Sequence, residues 1–142
     1  MSVDDQALIE AARDVQKNAY APYSNYHVGA AVLDDQGRIH VGCNVENAAF
    51  PEGSCAEANA IGTMVSAGSR TIAAIAVVGG SGGAMVKAAI GRVDACTPCG
   101  GCRQNILEFS NDDTRIILLD GDGNPQIFSI DQLLPASFKV LR

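Results

Sequence analysis

At 142 residues the chain has the length of one ordinary domain and can bury about 70% of its unfolded surface, so a single core spanning residues 1–142 is expected. A composition of 47% hydrophobic and 18% charged residues argues against disorder, and no apolar run approaches the roughly 20 residues that cross a bilayer. A formal charge of −6 disfavours a nucleic-acid backbone as partner and favours a small neutral ligand.

The acidic start Met1-Ser2-Val3-Asp4-Asp5 lacks the basic and apolar stretches of a secretory signal, which predicts a cytoplasmic protein with reduced thiols. Five cysteines in that setting read as metal-binding or catalytic residues and not as a disulfide framework.

From Asp4 to about Tyr20, Leu8, Ala12, Val15 and Ala19 recur at helical spacing behind acidic residues, and Pro22 ends the pattern. Val28 to Leu33 and Arg38 to Cys43 are strand-like runs joined by Asp34-Asp35-Gln36-Gly37, which suits the turn of a β-hairpin. Cys55 to Ala67, rich in alanine and closed by Gly68, predicts a second helix. Ile72 to Val78 is continuously apolar and β-branched, as expected of a central strand buried on both faces. A glycine-rich connection opens at Gly79 and reaches Thr97, with a short helix expected over Ala84 to Ile90. Pro98 to about Phe109 predicts a helix, Arg115 to Leu119 and Gln126 to Ser129 two further strands, and Asp131 to Leu134 a last helical turn. Five strands with interspersed helices give a layered α/β domain, antiparallel at the hairpin and with parallel pairing later.

The chemistry concentrates in the cysteines. Cys96, Cys99 and Cys102 form two overlapping Cys-x-x-Cys pairs, a spacing that suits metal binding, redox exchange or plain packing. Pro98 favours the first position of a helix and makes Thr97 its natural cap, which leaves Cys96 outside. Cys99 and Cys102 are then about 60° apart on one face of the first turn, where free amides and the positive helix pole favour thiolates. Cys55 follows the cap residue Ser54 and opens its helix by the same device. Cys55 and Glu57 lie about 200° apart on an ideal helix, so both reach one ion only if it sits over the helix end. Three thiolates leave a tetrahedral zinc with an open fourth position for water, the arrangement of a catalytic site. Glu57 beside it can move protons, although Ser54-Cys55-Ala56-Glu57 also spells a capping box in which the glutamate only bonds back to the cap amide.

Cys55-Ala56-Glu57 together with Pro98-Cys99-Gly100-Gly101-Cys102-Arg103-Gln104 resembles the small, homotetrameric class of cytidine deaminases. The similarity extends to Ala21-Pro22-Tyr23-Ser24-Asn25-Tyr26-His27-Val28-Gly29-Ala30-Ala31, to Gly42-Cys43-Asn44-Val45-Glu46-Asn47-Ala48, and to Leu133-Leu134-Pro135 with Phe138. It implies a three-layer α/β/α cytidine-deaminase-like domain with a five-stranded mixed sheet and one Zn2+ per subunit on Cys55, Cys99 and Cys102. The implied activity is hydrolytic deamination of cytidine and deoxycytidine to uridine and deoxyuridine, a step of pyrimidine salvage, with Glu57 as proton shuttle. Asn44 and Glu46 are implied to hold the ribose hydroxyls, Tyr26 to lie against the pyrimidine where the family usually has phenylalanine, and Ala56 and Cys99 backbone groups to fix the base. Phe138 matches the aromatic residue that reaches a neighbouring subunit's site, which implies a homotetramer with shared active sites.

Two features depart from the family pattern. Ala58 stands where many members carry an arginine, leaving Arg103 as the nearby cation expected to offset the charge of three thiolates. The Gly79 to Thr97 connection is longer than usual, and its glycines lack the lysine and hydroxyl of a phosphate loop. Cys43 and Cys96 read as packed thiols, and His27 and His40 as surface or strand-packing residues. The competing readings are a deaminase of another cytosine nucleoside, of the blasticidin type, and a zinc-stabilised binding protein without catalysis.

Overall fold

A computed structural model describes residues 3–81, 96–120 and 122–140. Strands β1 (Tyr26–Asp34), β2 (Ile39–Cys43), β3 (Ile72–Ser81), β4 (Arg115–Leu119) and β5 (Pro125–Phe128) form one sheet in the order β2-β1-β3-β4-β5. β1 pairs antiparallel with both β2 and β3, β3 pairs parallel with β4, and β4 pairs antiparallel with β5, so the sheet is mixed and β3 is central, as expected. The helix expected over Ala84 to Ile90 lies outside the described residues.

Side chains alternate across each strand and divide the apolar core in two. Helix α1 (Val3–Gln16) covers one face through Leu8, Ile9 and Ala12 against Ala31, Ala74, Ala76 and Ile117. Helices α2 (Ala56–Ser66), α3 (Gly100–Glu108) and α4 (Ile130–Leu133) cover the other against Val32, Ile75, Val77, Ile116 and Leu118. The result is the three-layer α/β/α arrangement. At the α2 face β2 comes within backbone contact of the helix, because a Cβ on Gly42 would stand 2.3 Å from the Ala60 nitrogen.

Three expectations are corrected. α1 ends at Gln16, so Ala19 lies beyond it, in the segment that turns towards β1. β3 continues through Gly79, Gly80 and Ser81, which pair with Val28, His27 and Tyr26, so the sheet runs past the point where the connection is expected to open. Both metal-loop helices begin later than local signals suggest. Cys55, not Ser54, is the N-cap of α2, and Cys99, not Thr97, is the N-cap of α3, each in extended backbone geometry. Ser54 is unavailable as a cap because its backbone exchanges two hydrogen bonds with Val45. Pro98 precedes the α3 cap with its ring buried, and its carbonyl accepts from Arg103 Nε at 2.8 Å.

Candidate active site

Placing a cysteine at each N-cap carries its sulfur over the helix end, where the first-turn amides point. Cys102, at the third position of α3, completes the group, and the sulfurs of Cys55, Cys99 and Cys102 all lie within 4.8 Å of one another. Thiolates sharing one zinc at ~2.3 Å stand roughly 3.8 Å apart, which this limit accommodates. The Cys102 backbone amide bonds to the Cys99 sulfur and lowers that thiol's pKa. Burial pushes the Cys55 thiol up, and burial together with the charges of Glu57 and Cys55 pushes Cys102 well up. Three soft sulfur donors gathered in this way suit a divalent ion that takes thiolates, and zinc fits both the donor set and its number.

Glu57 is 5% exposed and stands at the second position of α2, next to the sulfurs. Burial raises its carboxyl pKa, while contacts with its own amide and the Cys102 thiol oppose the shift. With Cys55 as cap and Ser54 bonded elsewhere, the capping box read from Ser54-Cys55-Ala56-Glu57 does not form. The carboxyl instead reaches its own first-turn amide and the Cys102 thiol.

Glu57, Cys55 and Cys99 line a pocket of about 430 Å³ together with Ala56, Tyr26, Asn44 and Glu46. Asn44 is held by β1, accepting from the Val28 amide at 2.8 Å and donating to the Tyr26 carbonyl at 2.8 Å. Glu46 accepts from the Tyr23 and Ser24 amides at 2.9 and 3.2 Å and from the Ser24 hydroxyl, bonds that lower its pKa with the hydroxyl first. Tyr26 donates its hydroxyl to Cys96 Sγ at 3.2 Å, and burial pushes the phenol well up. A Cβ on Gly79 would lie 2.5 Å from that sulfur and 2.6 Å from the Tyr26 hydroxyl, so the pair needs glycine at this point of β3.

Phe138 is 74% exposed and stands outside this pocket, its carbonyl accepting from Gln104 Nε2 at 3.0 Å. Arg103 also differs from expectation. Its described bonds run to the Pro98 carbonyl at 2.8 Å and the Leu133 carbonyl at 2.6 Å, so the guanidinium ties the Cys99 loop to α4. The sequence reading left Ser24, Cys96 and Asn59 without site roles, because each depends on which strands and helices meet.

The profile of the cytidine and deoxycytidylate deaminase zinc-binding region matches residues 2–118. The chain belongs to this family. Cytidine deaminases of Sporosarcina psychrophila and Halalkalibacterium halodurans are 37% and 38% identical to it, each over 96% of this chain and over 92% and 95% of their own lengths. The crystal structure of a cytidine deaminase from Burkholderia pseudomallei superposes with a TM-score of 0.80 at 39% identity, covering 97% of this chain and all of that one. Family membership and the three-sulfur cluster together make the protein a zinc-dependent hydrolytic deaminase with one zinc site per chain. Among the described residues no helix is long and apolar enough to cross a membrane.

Proposed function

We propose that the protein hydrolyses cytidine to uridine and ammonia and accepts deoxycytidine by the same reaction. The observation that carries this reading is the shared pocket, which brings Cys55 and Cys99 of the three-sulfur cluster and the buried Glu57 together with Asn44 and Glu46. Zinc held by Cys55, Cys99 and Cys102 supplies Lewis-acid activation of water at neutral pH. Glu57 takes one proton from the attacking water and delivers it to ring N3 as oxygen adds to C4. The carboxylate then takes the proton of the hydroxyl added at C4 and passes it to the exocyclic nitrogen, the C4–N bond breaks as the C4 carbonyl forms, and ammonia leaves, as in zinc deaminases generally. Its burial supports this role, since a raised pKa makes the carboxylate a better base for the proton it carries between transfers.

The sugar end is pre-organised. One N–H of the Asn44 amide is spent on β1, which leaves its second donor for a ribose hydroxyl, and the backbone and Ser24 hold Glu46 as acceptor beside it. The Tyr26 ring, fixed by its bond to Cys96, offers an apolar face to the pyrimidine, and the backbone at Ala56 and Cys99 holds the base edge.

The residues 1–142 form one deaminase domain in this reading, acting in the cytoplasm in pyrimidine salvage. Exposed Phe138 serves a neighbouring subunit's pocket, which makes the assembly a homotetramer with shared sites. Arg103 supports the metal through the loop it clamps, with the helix-end amides taking over the charge relief expected of it. The test is direct: the zinc-loaded protein releases ammonia from cytidine and deoxycytidine with matching loss of cytosine absorbance, and absence of turnover on both would overturn the assignment.

A further inference from the structure

We infer that Asn59 is a positioning residue that sets the sugar-holding segment 44–46 against the catalytic start of α2, an inference that rests on the nucleoside-deaminase reading. Asn59 stands one turn into α2 and is half-buried on the side facing β2. Its amide nitrogen donates twice, to the Cys43 carbonyl at 2.8 Å and to Ser54 Oγ at 3.0 Å. An amide nitrogen has two hydrogens, so both are committed. One acceptor belongs to the residue immediately before Asn44, and the other to the residue immediately before Cys55.

The position of these two acceptors gives the bonds their consequence. Segment 44–46 leaves the sheet beyond β2 and is joined to the α2 entry by a single bridge, in which Val45 N donates to Ser54 O at 3.0 Å and Ser54 N to Val45 O at 2.9 Å. On its other side the segment is anchored by Tyr20, whose N donates to Asn44 O at 3.0 Å and whose O accepts from Glu46 N at 2.9 Å, so its link to the α2 entry is the two-bond bridge, which has little cooperative support of its own. Asn59 spans it from the helix side, gripping the chain on both of its strands. The close approach of β2 to α2 makes this reach possible, because Gly42 brings the strand backbone against Asn59 itself: a Cβ there would stand 2.7 Å from the Asn59 carbonyl carbon. The side chain does not line the pocket, so it acts on substrate only through the segments it holds. Its effect should fall on the sugar more than on the base, since Asn44 and Glu46 lie in segment 44–46, while Glu57 and the ligand cysteines are held by their own helices.

The test uses zinc-loaded Asn59→Leu, which keeps the bulk and removes both donors, with Asn59→Ala as the second variant. Zinc content should stay at one per chain. For cytidine, KM should rise about tenfold, the size of one lost buried hydrogen bond, with kcat changed less than about threefold. For 2′,3′-dideoxycytidine, which lacks the 2′- and 3′-hydroxyls, KM should move by less than about threefold. Amide hydrogen exchange at Val45 should accelerate about tenfold in the substrate-free protein, with β3 and β4 unaffected. Equal losses on the two substrates, a fall in kcat alone, or unchanged exchange at Val45 would overturn the inference, as would failure of both variants to fold. If the parent protein itself does not deaminate cytidine, the functional reading fails on that measurement, while exchange at Val45 still decides whether Asn59 holds the segment.

Discussion

Two groups of ionisable side chains lie at opposite ends of α2, and they are built on opposite principles. Beyond the helix C-terminus, Asp34 is 1% exposed and bonded on all sides: His40 Nε2 at 2.8 Å, Ser69 Oγ at 2.7 Å, Arg38 Nε at 3.1 Å, and the Gln36 and Arg38 amides at 2.8 and 2.9 Å. Burial alone would raise this carboxyl, but the bonds from His40, Ser69 and the two amides outweigh it and hold the group well below the usual carboxylate range. At the helix N-terminus, burial raises Glu57, Cys55 and Cys102, and mutual charge adds to the rise at both thiols. A buried anion with every donor supplied by the protein is a structural clip. A cluster of three thiols and a buried carboxyl, with ionisation opposed at Glu57, Cys55 and Cys102, calls for a cation from outside.

Removing zinc should separate the two ends most sharply. Chelation is expected to abolish turnover completely and to lower Tm, with activity restored by added zinc, because a ligand that binds only the folded chain stabilises it. Activity and thermal melting on the stripped and reloaded protein check this. Glu57→Gln comes next: kcat should fall about a thousandfold, the scale of a lost general acid–base, while zinc content and Tm stay near the parent values.

Asp34→Ala should act in the opposite sense, lowering Tm by roughly 5–10 °C through the stranded partners His40, Ser69 and Arg38, with kcat within about twofold. The pH dependence sharpens the contrast. A carboxylate held below its unfolded value contributes stability that is fully present above about pH 4 and is lost as pH falls toward the folded value. Denaturant midpoints of the parent should therefore drop on acidification below about pH 4, with Asp34→Asn showing a flatter profile in that window. The smallest effect is expected at Arg103→Ala. Loss of the Pro98 and Leu133 bonds should loosen the Cys99 loop and lower kcat roughly three- to tenfold with weaker zinc retention in a chelator competition, and no change in either would leave the clamp without a role in catalysis.

Much of the fold could be read from local pattern. Arg115 to Leu119 is a strand with the bounds its apolar run suggests, and the hairpin around Asp34 to Gly37 forms where its turn residues stand. Boundaries failed where a distant segment competes with a local signal. Ser54 is a good cap residue by type, but its backbone is taken by Val45, and Gly79 and Gly80 join the sheet because Val28 and His27 lie alongside them. The His40 ring reads as strand packing from the sequence, and its bond to a buried carboxylate emerges only once β1 and β2 are in register.

The chain alone determined which residues could hold zinc, since three thiols at helix starts and a glutamate two residues after one of them are local chemistry. It also determined the alternation that gives the sheet two buried faces. Only the tertiary structure decided that Cys55 and Cys99 are themselves the caps, that Glu57 is free of the capping box, that Arg103 bonds carbonyls, and that Asn59 bridges β2 to the start of α2. The physical reason is common to all four. Each depends on which backbone donors and acceptors remain once strands pair and helices pack, and that remainder is a property of the assembled fold.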